Sequence, residues 1–424
     1  MGELQKMFES TFDQNLRNEV LLRVIKAKLN EMGITLTHSQ VDTLRKRIMG
    51  NKIRNFKLSI DDKVLISSNI PKQALSKKKL SLDVSDVDNL EETAKNVAQQ
   101  LLSDLPKLIS ELTDQYVDTL KRDLDRKIKP LRKQRRAFES RLYEKWEEPL
   151  DYLEYFLALA MDLGSEFNQD FRPIAAERKD HVFEALTRLH ARSSQVGFEI
   201  LTLLKSGFAD GAHARWRTLH EIAVVAVFLS EYGEDVANRY LCYKFVDSYR
   251  AAKLYQKNCV RLGYEPLSEA EMLNFDKMYQ QAQKQFGRSF CKANGWAATI
   301  INKDRITFSD IEEKVAMQHM RSYYKLASNN VHANPKGVFY RLGLSHLNKG
   351  ILLAGPSNTG LADPANGTAL SICQITTSLL LHETNLDRLV ASKALFRLSD
   401  HIQRVFTETQ LDIEKSPAHI SMEW

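Results

Sequence analysis

Apolar side chains recur every three or four residues over most of this chain, and this spacing limits the fold to packed helices. Residues that interrupt helices are sparse, since the 424 residues include only 17 Gly and 10 Pro. Between residues 150 and 410, no alternation of apolar and polar residues is long enough for a sheet. The sequence therefore predicts an all-α protein with at most a small β element near residues 56–60, where one strand alone builds no sheet.

Composition excludes several classes of protein. A hydrophobic content of 43% argues against wholesale disorder, and a net charge of +6 permits a nucleic-acid partner without implying one. The four cysteines form no CxxC pair, so neither a zinc site nor a disulfide framework is expected, and no motif indicates a cofactor. The charged N-terminus and the short apolar runs predict a cytoplasmic protein that neither enters nor spans a membrane.

Three segments are expected along the chain. Residues 1–75 form a helical head with a short strand, and residues 76–148 form a lysine-rich linker followed by a long amphipathic arm. From residue 149 to 424, dense aromatic and aliphatic residues predict one helical bundle. The bundle helices are expected at 151–168, 173–206, 210–232, 234–260, 267–285, 308–331, 364–391 and 393–412. Gly207, Gly211, Gly233 and Pro335 are among the expected breaks, and 337–366 is expected to be a long loop.

The arm has coiled-coil-like apolar spacing, which Pro106 and Pro130 are expected to interrupt. Its apolar face could bind a protein partner. Its basic residues form either a solvated helix face or an arm that attracts the phosphates of RNA. They are Lys121, Arg122, Arg126, Lys127, Lys129, Arg132, Lys133, Arg135 and Arg136.

A first polar motif lies inside the apolar helix 210–232. Arg217 and Glu221 are four residues apart, hence on one face and within ion-pairing reach. Either they form a structural ion pair, or Glu221 orients the Arg217 guanidinium toward a phosphate. Arg215 and His220 flank the pair and are additional candidates.

A second motif ends the helix 308–331. Tyr324, Ser328 and His332 are each four residues apart and form one stripe. His332 either caps the helix or, favoured as imidazolium by the helix dipole, transfers a proton near neutral pH. Ser328 and His332 complete a candidate catalytic set with Arg217 and Glu221, and Tyr324 is a further candidate.

These motifs, with Arg239-Tyr240 and Trp296 between them, resemble the bacterial domain-of-unknown-function family 5677 over residues 180–390. That family is similar to HEPN domains, the helical bundles of bacterial toxins and phage-defence proteins. The resemblance implies an all-α, HEPN-like bundle that tends to form homodimers.

Many HEPN proteins are metal-independent endoribonucleases, in which an Arg neutralises the scissile phosphate and a His moves a proton. Arg215 to His220 fits their spacing, but Trp216 replaces the usual polar residue. A composite site from the two motifs is therefore expected, in a toxin or antiviral defence effector. The alternatives are a non-catalytic binding or regulatory module and a coiled-coil scaffold.

Overall fold

The computed structural model describes residues 2–31, 34–50, 57–59, 79–81, 90–333, 335–344 and 352–415. Its α-helices are, in chain order, α1 (Gly2–Glu31), α2 (His38–Gly50), α3 (Leu90–Arg178), α4 (His181–Lys205), α5 (Ala209–Asn258), α6 (Glu269–Phe286), α7 (Phe308–Lys314), α8 (Arg321–Val331), α9 (Pro335–Phe339), α10 (Ala362–Leu380) and α11 (Leu386–Lys415). Short 3-10 turns connect several of them. The predicted all-α class is confirmed, because the strands in the described residues are only three residues long.

These strands form a small antiparallel ribbon. Strand β1 (Lys57–Ser59) pairs with β2 (Lys79–Ser81), with Leu58 opposite Leu80. The predicted small β element near 56–60 is confirmed, whereas its partner strand lies within the segment that was expected to be a linker. The other residues of that linker lie outside the described part of the chain up to Leu90.

Contacts within the chain define two compact units, residues 1–129 and 130–424. The first unit contains the helical head and the first part of α3. In the head, α1 packs against α2 through one small apolar cluster. Its buried members are Leu22, Ile25, Leu29, Ile34, Leu44 and Ile48. The Gln40 side chain accepts a 2.9 Å hydrogen bond from the Thr37 amide and so caps the start of α2.

Helix α3 is far longer than the sequence predicted. It continues through Pro106, Pro130 and Pro173, where breaks or a new helix were expected. A proline removes one hydrogen bond of the helix and displaces a carbonyl. All three prolines are exposed, so water can bond to the carbonyls that they free.

The second unit is a helical bundle in which α5 is central, packing against α4, α6, α8 and α10. Its core is rich in aromatic side chains. The largest ones that are fully buried are Trp146, Phe156, Phe183, Trp216, Phe228, Phe290 and Phe406. Gly207 separates α4 from α5 with a φ of 77°, and a Cβ there would lie 2.7 Å from the Ser357 carbonyl oxygen. This close approach explains the glycine at the predicted break.

The structure differs from the prediction at two other expected breaks, Gly211 and Pro335. Gly211 lies inside α5 and does not interrupt it, whereas Gly233 interrupts the helical dihedrals of α5 as expected. Pro335 does not simply end a helix but begins α9. Within the expected loop 337–366, the described residues include the end of α9 and the start of α10.

The expected helix 308–331 is divided into two. Helix α7 begins at a capping box of Thr307 and Asp310 and ends at Lys314. Ala316 then adopts a φ of 55°, and the chain restarts as α8 at Arg321. The division matters because it lets α7 and α8 present different side chains to α5.

None of the described helices combines the length and the apolar character that crossing a bilayer requires.

Two buried histidines make the stability of the second unit sensitive to acid. Burial lowers the pKa of His190 to about 4 and that of His213 to about 4 as well. A histidine with a lowered folded-state pKa stabilises the fold fully above its unfolded pKa, near 6.5, and loses this as the pH falls through 4.

We therefore expect the free energy of unfolding of this unit to fall by about 2 kcal/mol per histidine between pH 7 and pH 4.5. Urea titrations followed by tryptophan fluorescence would measure it, because all four tryptophans lie after residue 130. The variant His190→Gln should lower the pH slope by about one proton. A slope identical to that of the parent would contradict this explanation.

Candidate functional site

Helix α5 holds the first polar motif at the border of its buried face. Trp216, Leu219 and Ala223 are buried in the core, which places Arg217 and Glu221 at the adjoining edge. The Nε atom of Arg217 lies 3.3 Å from Oε1 of Glu221, and the side chains are 25% and 40% exposed. The predicted ion-pairing reach is confirmed. The Arg217 Nε atom is itself buried and has no hydrogen-bond partner among the described residues, whereas the remainder of each side chain is partly exposed.

Tyr324 of α8 joins this pair from 103 residues farther along the chain. Its hydroxyl donates a 2.5 Å hydrogen bond to Oε1 of Glu221. The Arg217 guanidinium carbon lies 4.8 Å from the centre of the tyrosine ring, within cation–π range. The two motifs therefore meet through Arg217, Glu221 and Tyr324, with Tyr324 more central than the sequence indicated.

The environment of Tyr324 keeps its hydroxyl protonated. Burial, with the hydrogen bond to the Glu221 carboxylate as the next cause, raises the pKa of Tyr324 to about 12. A tyrosine with this pKa is a hydrogen-bond donor at neutral pH and not a base. Within this cluster, Glu221 is the group able to accept a proton.

Ser328 and His332 continue along α8 away from this cluster. The Ser328 hydroxyl donates to the Tyr324 carbonyl oxygen at 2.8 Å, a common backbone contact inside helices. His332 is the C-cap residue, and its amide donates to the Ser328 carbonyl. Its side chain is exposed and makes no hydrogen bond to another described residue. Eight residues of helix separate Tyr324 from His332, a rise of about 12 Å.

A second network lies beneath the first and is buried. Nε2 of His220 lies 2.9 Å from Oε1 of Glu312, with side-chain exposures of 1% and 0%. Arg321 pairs with the other oxygen of Glu312. Its guanidinium also lies 5.2 Å from the ring of Tyr324. Because the His220 ring is 5.8 Å from the same tyrosine, Tyr324 contacts both networks.

The two additional candidates on α5 do not join the Arg217 cluster. Arg215 pairs with Glu199 of α4, because two positions along a helix turn a side chain about 200° away. His220 is directed into the core, where Glu312 holds it. Both therefore have structural partners of their own.

Sequence reasoning missed Glu312 and Arg321. Glu312 stands beside Glu313, and only its place between Ile311 and Val315 suggests a buried face. Arg321 stands in a polar stretch of the sequence, and nothing around it identifies a partner. The sequence could not show that Glu312 pairs with both His220 and Arg321, because α7 and α8 were expected to be one continuous helix.

A cavity of about 200 Å³ lies beside Trp216. Its lining residues are His213, Trp216, Met320, Tyr323, Asp363, Asn366, Gly367, Leu370 and Gln403. Two buried atoms in this lining, Nδ1 of His213 and Oδ1 of Asn366, have no hydrogen-bond partner among the described residues. A polar occupant of the cavity could bond to them.

In the described chain, no three His, Cys, Asp or Glu side chains are grouped as a metal site requires. The basic residues of the arm are exposed, and several pair with acids on their own helix. These pairs are Lys121–Asp118, Arg126–Asp123, Lys127–Asp123 and Arg135–Glu139. Exposed pairs of this kind are weak, so a phosphate could still compete for these basic side chains.

Comparison with known proteins identifies one family. Residues 183–351 match the model described as "Family of unknown function (DUF5677)". The predicted resemblance to this family is thereby confirmed over these residues. They contain α5, α7 and α8, and hence both motifs. No curated protein and no solved structure matches the chain.

We expect Glu312→Ala to lower the free energy of unfolding by about 1–3 kcal/mol, because it leaves the buried His220 without its hydrogen-bond partner and the partly exposed Arg321 without its counter-charge. The control is Glu313→Ala, which alters an exposed neighbour on the same helix and should change stability by at most about 0.5 kcal/mol. Chemical denaturation would measure both. Equal midpoints for the two variants would show that the buried carboxylate does not hold α7 and α8 on α5.

Proposed function

We propose that this chain is a metal-independent endoribonuclease that acts as a bacterial toxin or phage-defence effector. The observation that carries the proposal is the contact of Arg217, Glu221 and Tyr324, which joins two distant polar motifs at a solvent-accessible edge. The resemblance to HEPN-like bundles supports it, since such bundles often cleave RNA without a metal. The protein would act in the cytoplasm, and pairing of two bundles is part of the proposal.

The proposed reaction is an internal phosphoryl transfer. The 2′-oxygen of a ribose forms a bond to the adjacent phosphorus while the bond to the 5′-oxygen breaks. Arg217 stabilises the charge that develops on the phosphate. The proton of the 2′-hydroxyl passes to a base, and another is delivered to the 5′-oxygen.

Two side chains can handle these protons: Glu221, which lies beside Arg217, and His332, which lies about 12 Å along α8 from Tyr324. His332, exposed at the end of α8, is the proposed proton-transfer group, and the proposal requires the RNA to place the reacting phosphate between His332 and Arg217. The Ser328 hydroxyl donates its proton to the Tyr324 carbonyl, so its oxygen can still accept a hydrogen bond. The basic residues of the arm, Lys121 to Arg136, would attract the RNA backbone.

A non-catalytic binding or regulatory module is the second candidate. One observation favours it: Glu221 already neutralises Arg217 and accepts the Tyr324 hydroxyl. A guanidinium engaged in this way could simply hold α8 on α5. In that case the arm would recruit a partner protein, and the chain would cut no RNA.

We expect His332→Ala to slow cleavage of single-stranded RNA by roughly 100-fold or more. The matched control is His319→Ala, since His319 is also exposed and lies just before α8. Its variant should cut like the parent. A chelator should leave the rate unchanged, because the proposed reaction uses no metal.

The role of Arg217 in cleavage is tested with a conservative substitution, because Arg217→Ala leaves Glu221 unpaired and can unfold the bundle. Arg217→Lys keeps the charge but loses the planar fork that binds phosphate, so cleavage should also fall roughly 100-fold at an unchanged melting temperature. If His332→Ala cuts RNA as fast as the parent, the ribonuclease proposal is refuted. If the parent cuts no RNA, the binding module is supported instead.

A further inference from the structure

The cavity beside Trp216 is distinct from the cluster around Arg217. Neither Arg217, Glu221 nor Tyr324 lines it, so what binds there does not depend on ribonuclease activity. Its volume of about 200 Å³ is below the range of roughly 300–1,000 Å³ in which proteins hold drug-sized ligands. It is also several times the share of about 30 Å³ that one molecule has in liquid water. The space therefore fits a small molecule or a single chemical group.

The wall of the cavity contains an oriented hydrogen-bond acceptor that lacks a partner among the described residues, Oδ1 of Asn366. The amide nitrogen Nδ2 of Asn366 lies 3.4 Å from the Thr407 hydroxyl. That hydroxyl donates its own proton to the Gln403 carbonyl oxygen, so toward Asn366 it can only accept. The nitrogen of the amide therefore faces Thr407, and its oxygen is left as a buried acceptor that a donor should satisfy.

His213 supplies a second buried group of this kind. Its side chain is 1% exposed, and its Nδ1 has no hydrogen-bond partner in the described part of the chain. Burial lowers the pKa of His213 to about 4, so the imidazole is neutral at pH 7 and one of its nitrogens is an acceptor. The residue thus brings no positive charge to the cavity and can accept a hydrogen bond from an occupant.

The charge around the cavity is negative. None of its nine lining residues is Lys or Arg, and Asp363 is the acid among them. Burial raises the pKa of the Asp363 carboxyl, and the negative charge of Glu414 raises it further, with no basic group of the described chain opposing them. Asp363 and Asp210 also raise the pKa of Tyr340, although burial is the larger cause. Such surroundings repel an anion, including the phosphate of a nucleotide, and attract a cation.

Two aromatic side chains, Trp216 and Tyr323, belong to the same wall, and the face of an aromatic ring attracts cations. We propose that this cavity binds a small organic cation with several N–H donors, a protonated amine or amidine. Its N–H groups donate to Oδ1 of Asn366 and to the imidazole of His213. Its charge is balanced by Asp363, which is partly exposed at the mouth of the cavity.

Three probes of nearly one shape test the charge of the ligand. Benzamidine, benzamide and benzoate share a benzene ring and carry a cationic, a neutral and an anionic head group. Ligand-observed NMR with the full-length chain and millimolar probe should show that benzamidine binds and that benzamide binds roughly tenfold more weakly, because charge-assisted hydrogen bonds are the stronger ones. Benzoate should not bind. Equal binding of benzamide, a preference for benzoate, or no binding of benzamidine would overturn the proposal.

The same cation chemistry can come from a free small molecule or from an arginine side chain of another protein. The tripeptide Gly-Arg-Gly separates these sources, because its guanidinium is carried on a backbone that has to stay outside the cavity. If the tripeptide displaces benzamidine, the natural ligand is a side chain of a partner. If benzamidine binds and the tripeptide does not displace it, the natural ligand is a free amine or amidine.

Substitutions place the bound probe in this cavity. Asp363→Asn removes the charge but keeps the shape, and it should weaken benzamidine roughly tenfold. The control Asp400→Asn removes the charge of an exposed acid on α11 that does not line the cavity, and it should bind like the parent.

Asn366→Leu replaces the unpartnered oxygen by an apolar group of similar size. It should abolish benzamidine binding without lowering the melting temperature, because a buried acceptor with no partner stabilises nothing in the empty protein. Circular dichroism would check that each variant is folded. If folded Asp363→Asn and Asn366→Leu both bind benzamidine as tightly as the parent, the probe lies elsewhere and the proposal is refuted.

Discussion

A carboxylate with no access to water has to be neutralised where it lies, and the site of this protein depends on that requirement at Glu312. The ionised form of a buried acid costs several kcal/mol unless charge and hydrogen bonds compensate it. His220 of α5 and Arg321 of α8 supply this compensation from two different helices. Because both oxygens of one carboxylate are used, α7 and α8 are held at a fixed place against the middle of α5.

Tyr324 follows Arg321 by three residues, so the position of α8 determines where the tyrosine lies. Its ring contacts His220 and both arginines, and its hydroxyl reaches Glu221. The buried network thus acts as a support, and the half-exposed cluster above it is where a ligand could meet the protein. A substitution in the support would change the cluster without touching any ligand.

Much of the fold was predictable from the sequence, because apolar spacing alone indicates helices and their buried faces. The match to the family model was also predictable, since Arg217, Glu221, Tyr324 and His332 lie within residues 183–351, the segment that matches. The length of α3 was not predictable, since whether a proline interrupts a helix depends on whether water reaches the freed carbonyl. The division at Ala316 was missed for a similar reason: its φ of 55° is fixed by packing and not by local propensity.

The contact between α5 and α8 was only partly predictable. Spacing of four residues identified each polar stripe, but it could not decide which face of α5 would receive α8. That choice depends on the buried charge, because only the face that presents His220 can satisfy Glu312. The same argument explains why Arg215, although suitably spaced from His220, does not share a site with it. In this bundle, the pairing of buried charges selects which of several plausible polar residues come together, and spacing along one helix does not.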